Sequence, residues 1–301
     1  MKTVRVFLLI ASYMWSGMSM LHATDYWTQT GSMNTARLDF NGVLLGSGKL
    51  LACGGTSNLQ NTLSSCELYD PSGGTWSYTG TMQTARKSFG MVVLSGGKVL
   101  VAGGLYPPFS QETSTAEIYD PSSGSWSSAS SMNNARSSFG LVTLSDGTVL
   151  AAGGLNTNTA EIYNPSNNTW TLTGSMLTAR QDFGLKRLGD GTVLAFGGGD
   201  TSSAEIYNPS TSSWSATGGM NSPRSRFGST ILSSSSTQTK VLVAGGYITT
   251  VGYLTGAEIY DSSTGVWTTT GSMSTARGYF RMLTLNNGDA FVAGGTMDPA
   301  I

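Results

Sequence analysis

The sequence predicts an all-β fold: a closed ring of six four-stranded sheets, the last of them lacking one strand and completed by the N-terminal strand. Three observations predict it. Aromatic residues repeat in six units, a glycine pair follows in each, at a set distance in all but one, and length changes fall in only two places per unit.

The repeat begins at tryptophan, with Trp27, Trp76, Trp126, Trp170, Trp214 and Trp267. Six residues after each comes Met33, Met82, Met132, Met176, Met220 or Met273. Four further on stands Arg37, Arg86, Arg136, Arg180, Arg224 or Arg277, and three beyond that Phe40, Phe89, Phe139, Phe183, Phe227 or Phe280. A glycine pair closes each unit, from Gly54-Gly55 to Gly294-Gly295. Five units then carry Glu-Ile/Leu-Tyr, at Glu67, Glu117, Glu161, Glu205 and Glu258. The distance from Arg to the glycine pair is 17 residues except after Arg224, where Ser233 to Thr239 lengthens it. Insertions collect in loops and spare strands, so the pattern itself separates the two.

Each unit reads as four strands. In the second, strand a is Ser88 to Leu94, strand b Lys98 to Ala102 and strand c Ala116 to Tyr119, while strand d starts at Trp126. Links such as Ser95-Gly96-Gly97 supply positive φ at little cost and suit tight hairpins. A four-stranded sheet with two apolar faces is not stable alone; copies must stack around an axis, as in a β-propeller. The glycine pair, the Glu-Ile-Tyr-Asp strand, the spaced tryptophans and the Ala-Arg or Pro-Arg turn resemble the kelch repeat, over Trp27 to Gly295. That resemblance implies fold more than function, because propellers host many activities.

The first element is a lone strand d at Trp27, and the last unit ends at Gly294-Gly295. The ring is therefore expected to close by adding the N-terminal strand to the last blade. No Glu-Ile-Tyr follows Gly295, which leaves 23 of 24 strands and a last blade without strand c.

Ahead of the repeats, Lys2 and Arg5 precede the apolar run Val6 to Trp15 and the small residues Ser16, Gly17 and Ser19. This is the layout of a secretory signal, with cleavage after Ser19 or Ala23, and the alternative is an uncleaved anchor. The expected organisation is a signal peptide at 1–23 and a single propeller domain at 24–301, secreted or periplasmic. A net charge of −1 without a Lys/Arg block disfavours nucleic-acid binding, and no second apolar run is long enough to span a membrane.

His22, at the signal's end, is the only histidine. Histidine-dependent nucleophile pairs and most zinc or copper sites are therefore not expected, nor is the copper chemistry of kelch-type oxidases. No metal or cofactor is expected. Cys53 and Cys66 replace the Ala of strands b and c in the first blade, which are antiparallel neighbours. A disulfide is expected there, against the alternative of two buried thiols.

An Arg and a Glu recurring in nearly every blade read as structural ties, since function seldom needs six equivalent groups. Ligand contacts are expected where the repeat varies. The second residue after each Arg is Asp39, Ser88, Ser138, Asp182, Arg226 or Tyr279, and these should surround one mouth of the central channel. The kelch resemblance adds residues just after the glycine pair: Tyr106, Asn156, Asp200 and Tyr247. The long loops at Tyr106 to Phe109 and Tyr247 to Gly256 should rise around them.

The leading expectation is a binding module for a peptide, protein or glycan. A second is a metal-independent sugar-modifying enzyme similar to sialic acid mutarotases, with Asp39 or Asp182 as acid–base and Arg226 holding a carboxylate. A third is a truncated repeat array without activity.

Overall fold

The computed structural model describes residues 30–57, 61–107, 111–284 and 290–296. Among these residues the chain is all-β, without a helix. Blade 1 comprises β1 (Asn41–Leu44), β2 (Leu50–Cys53), β3 (Cys66–Asp70) and β4 (Thr75–Thr79). Blade 2 comprises β5 (Gly90–Val93), β6 (Val99–Ala102), β9 (Ala116–Asp120) and β10 (Ser125–Ala129), with a small ribbon of β7 (Leu105–Tyr106) and β8 (Gln111–Glu112) inserted between its second and third strands. Blade 3 is β11 (Gly140–Thr143), β12 (Val149–Ala152), β13 (Ala160–Asn164) and β14 (Thr169–Thr173). Blade 4 is β15 (Gly184–Arg187), β16 (Val193–Phe196), β17 (Ala204–Asn208) and β18 (Ser213–Thr217). Blade 5 is β19 (Gly228–Ser234), β20 (Thr239–Ala244), β23 (Ala257–Asp261) and β24 (Val266–Thr270), with the ribbon β21 (Tyr247–Ile248) and β22 (Gly252–Tyr253). A two-stranded sheet of β25 (Gly278–Thr284) and β26 (Ala290–Thr296) follows.

Every sheet is an antiparallel meander whose first strand is an edge. These first strands lie against one another, β1 on β5, β5 on β11, β11 on β15 and β19 on β25, so the sheets turn about one axis as a β-propeller. The described residues give five complete blades and a two-stranded sheet. The expected signal at 1–23 and the closing strand at Trp27 lie outside the described residues, as does the chain beyond Thr296.

The first described residues nonetheless sit in a telling register. Thr30 Oγ1 meets Tyr69 Oη at 2.5 Å, the Gly31 N–H donates to the Gly74 carbonyl at 2.8 Å, and Trp76 Nε1 donates to the Gly31 carbonyl at 3.1 Å. One blade later, Thr79, at the end of β4, meets Tyr119 at 2.7 Å, Gly80 donates to Gly124 at 3.1 Å, and Trp126 donates to Gly80 at 2.9 Å. Thr30 and Gly31 thus hold the place, against blade 1, that the end of an outer strand holds against blade 2.

The repeated aromatics pack between blades. Leu51, Cys53 and Cys66 of blade 1 share a buried cluster with Phe89, Met91, Val99, Val101 and Tyr119 of blade 2, and the later junctions repeat this. Within each blade a Tyr and a Trp are cross-strand partners, as Tyr163 and Trp170 are, with ring centroids 5.0 Å apart. Non-polar burial of this kind is what a lone sheet lacks. The glycine pair is where neighbouring blades come closest. A Cβ on Gly54, at φ +65°, would lie 2.5 Å from the Arg86 carbonyl of the next blade, so no side chain fits.

Three local departures from the repeat have visible causes. Strand a of blade 2 begins at Gly90, not at Ser88 as the sequence suggests, because Ser88 takes φ 52° and leaves the extended region. The inserted Ser233 to Thr239 segment extends β19 and β20 and adds a bulge between Ile231 and Ser233. Phe196 fills a site held by Ala102 in blade 2 and Ala152 in blade 3, stacking on Phe227 at 5.4 Å and packing tilted against Trp267 at 5.1 Å. Among the described residues Trp267 Nε1 has no hydrogen-bond partner, whereas Trp170 and Trp214 donate to the Ser130 and Gly174 carbonyls.

Candidate functional site at the channel mouth

In five of the units the residues after the Met enter the ring through a buried ion pair. Arg136 Nη2 donates to Glu161 Oε1 at 2.7 Å, while Nη1 donates to the Gly153 and Thr159 carbonyls at 2.8 and 2.9 Å. Glu161 in turn accepts from the Asn133 and Asn134 N–H groups at 2.6 and 3.0 Å. The same arrangement recurs at Arg37–Glu67, Arg86–Glu117, Arg180–Glu205 and Arg224–Glu258. Burial pushes the Glu161 carboxyl up, but the hydrogen bonds from Asn133 and Arg136 outweigh it and hold the group below the usual range. Burial lowers the guanidinium pKa values of Arg86, Arg180 and Arg224, and the facing glutamates oppose that shift. These arginines are walled in by their own blade and do not reach a ligand.

Two residues past each Arg, the chain makes a second ring. Asp39, Ser88, Ser138, Asp182, Arg226 and Tyr279 all have φ between 51° and 56°. Ser88 N–H donates to the Asp39 carbonyl at 3.3 Å, Ser138 to Ser88 at 3.0 Å, Asp182 to Ser138 at 3.0 Å, Arg226 to Asp182 at 3.0 Å and Tyr279 to Arg226 at 2.8 Å. The left-handed conformation, costly for residues with a Cβ, is what turns each N–H sideways toward the preceding blade. A main-chain belt therefore runs from blade 1 through β25, and the six variable side chains project from it.

The belt is most built up between blades 4 and 5. Arg226 Nε donates to Asp182 Oδ2 at 3.1 Å, and its guanidinium carbon lies 4.8 Å from the Tyr279 ring and 5.9 Å from the Tyr247 ring. Partial burial would lower the Arg226 pKa, but Asp182, Tyr279 and Tyr253 overcome it and raise the value. Partial burial likewise pushes the Tyr279 hydroxyl up, Arg226 opposing it. Tyr247 packs edge-on to Tyr253 at 5.2 Å, and the Thr249 N–H donates to Asp200 Oδ2 at 3.1 Å. Asp182, Asp200, Ser225, Arg226 and Tyr247 line a pocket of about 220 Å³ with Gln181 and Thr249. Asp182 has thus been drawn into an ion pair, and among the described residues the Nη groups of Arg226, which lines the pocket, make no hydrogen bond.

The structure brings Asp182, Asp200, Arg226, Tyr247 and Tyr279 together, with Asp39, Ser88 and Ser138 further round the same belt. Tyr106 bonds within its own ribbon, donating to Gln111 at 3.1 Å, and Asn156, at φ 55°, sits in the turn after Gly154. Thr249 and Tyr253 lie in the Tyr247 to Gly256 loop expected to rise around the mouth, whereas Gln181 is not among the expected residues, although it directly follows an Arg of the repeat, which was an available signal. Away from the mouth, Cys53 and Cys66 face each other across β2 and β3 and are joined as a disulfide. Among the described residues no three His, Cys, Asp or Glu side chains form a metal-binding group.

No curated protein matches the chain. The Kelch motif family matches residues 40–83, 85–133, 136–177 and 232–274, more than half of the chain. With the buried Arg–Glu ties, the glycine pairs and the successive stacking of blades already in view, the chain belongs to the kelch-repeat family of β-propellers.

Proposed function

We propose that this protein is a kelch-type binding module that takes a peptide segment of a partner protein at the channel mouth, with the Arg226 corner as its anchor. Kelch propellers commonly bind proteins. The observation that carries the reading is the main-chain belt: it fixes six side chains of four kinds around one opening and leaves the Arg226, Tyr247 and Tyr279 surfaces available. Arg and Tyr are the residue types that dominate recognition surfaces. A glycan is the alternative ligand that tyrosines and carboxylates also suit. Six blades, closed by residues before Thr30, belong to the same reading, supported by the outer-strand register of Thr30 and Gly31. So does export: a disulfide between Cys53 and Cys66 fits an oxidising compartment.

The test is selection of peptides from a random display library on the wild-type propeller, with a glycan array in parallel. Selected peptides are expected to lose at least about tenfold in affinity for Arg226→Ala, as losing one charge-assisted anchor does, while the variant's Tm stays near wild type. Peptides that bind wild type and Arg226→Ala equally, or glycan binding in place of peptide binding, would overturn the peptide reading.

A further inference from the structure

The mouth does not account for the charge inside the channel. The first strands of the sheets, β1, β5, β11, β15, β19 and β25, carry three charged residues, Lys186, Arg187 and Arg281, all basic. Arg187 reaches the far rim, where it donates to Ser145 Oγ at 3.1 Å. Lys186 and Arg281 remain inside. They stand on blades that are not neighbours, yet the charge of Arg281 is felt at Lys186.

Both depart from the repeat. Where Lys186 stands, three residues past the Phe, blades 1 to 3 have Val43, Val92 and Val142. Where Arg281 stands, one past the Phe, blades 2 to 5 have Gly90, Gly140, Gly184 and Gly228. The other exception at that position is Asn41, and it meets Arg281: Arg281 Nη2 donates to Asn41 Oδ1 at 3.4 Å, while Asn41 Nδ2 donates to the Phe89 carbonyl at 3.0 Å. No ion pair to a carboxylate is formed by either cation, and Lys186 makes no hydrogen bond among the described residues. Water reaches both side chains, Lys186 less freely than Arg281. The surrounding protein displaces part of the bulk solvent, which lowers the pKa of both, Lys186 to about 8. Two cations that act on each other, with no carboxylate paired to either among the described residues, repel, and a small anion between them removes that cost.

We infer that the channel interior is an anion site, in which Lys186 and Arg281, with Asn41 holding the guanidinium, take a small oxyanion of the size of sulfate or phosphate. The site is separate from the mouth and does not depend on the peptide reading. It places a positive lining behind a mouth that carries Asp39 and Asp182.

Calorimetric titration of the whole chain with sodium sulfate, at an ionic strength fixed with sodium gluconate, tests it. Wild type is expected to bind one sulfate. Lys186→Val and Arg281→Gly, each returning the position to the residue used in other blades and so expected to fold, should each weaken binding at least about tenfold. The double variant should show none. Arg226→Ala should bind sulfate as wild type does. Sulfate does not titrate between pH 6 and 10, so affinity should fall as the pH rises through about 8, where Lys186 loses its proton. That fall should be absent in Lys186→Val. Absence of binding to wild type, equal binding to the double variant, or loss of binding in Arg226→Ala would each overturn the inference.

Discussion

Two rings lie two residues apart along the same connector and follow opposite rules. In the first, Arg37, Arg86, Arg136, Arg180 and Arg224 are identical and buried, each paired with a glutamate of its own blade. In the second, Asp39, Ser88, Ser138, Asp182, Arg226 and Tyr279 differ in charge, size and chemistry. Their backbones are nevertheless alike to within a few degrees of φ and are linked by the same hydrogen bond. The difference lies in what does the holding. Side chains hold the first ring, so its residues cannot change; main chain holds the second, so its side chains are free to.

The sharpest way to break this contrast is at the first ring. Arg136→Ala leaves Glu161 buried without its counter-charge and should cost about 3–5 kcal/mol, seen as a lower midpoint in urea. A cost below about 1 kcal/mol would mean that the Asn133 and Asn134 N–H groups suffice for Glu161, and the two rings would no longer differ in kind. The next effect concerns whether blade 1 needs more than its Arg–Glu tie. Cys53→Ala with Cys66→Ala restores the alanines of other blades at both positions and opens a 13-residue separation. Loop entropy predicts a loss of about 3 kcal/mol, which wild type treated with reductant should match. The smallest effect is at the second ring. Ser138→Gly removes a Cβ from a left-handed residue, whose relief slightly exceeds the added freedom of the unfolded chain, for a gain of about 0.5 kcal/mol. A loss instead would show that the Ser138 side chain, and not the belt alone, supports the mouth.

Much of this was legible in the sequence because the repeat is written in residues with a single physical use. Trp170 needs a carbonyl and a Tyr beside it, Gly54 stands where no Cβ fits, and Glu161 stands opposite an Arg, so their recurrence fixed strands, order and blade contacts. The positions of Asp39 to Tyr279 could be read as variable points near the channel. Their conformation could not, since nothing in Ser88 or Arg226 as residue types calls for positive φ; it is the neighbouring blade's carbonyl that does. The ion pair of Arg226 with Asp182 and the meeting of Lys186 with Arg281 were hidden for a related reason. Each joins residues more than 40 apart in the chain that no repeat rule pairs. Phe196 shows the same limit: the sequence marks it as an exception but does not say that Trp267 loses its hydrogen bond.

The belt also bears on how such a mouth could diversify. Its six positions tolerate any side chain that accepts a left-handed backbone, and Asn, Asp and Gly do so at the least cost. A library randomised at all six at once should therefore drift toward those three residues before any ligand is offered. Arg and Tyr at two of the positions run against that drift, so on the proposed reading the Arg226 corner is the part of the opening where ligand contact outweighs the preferences of the scaffold.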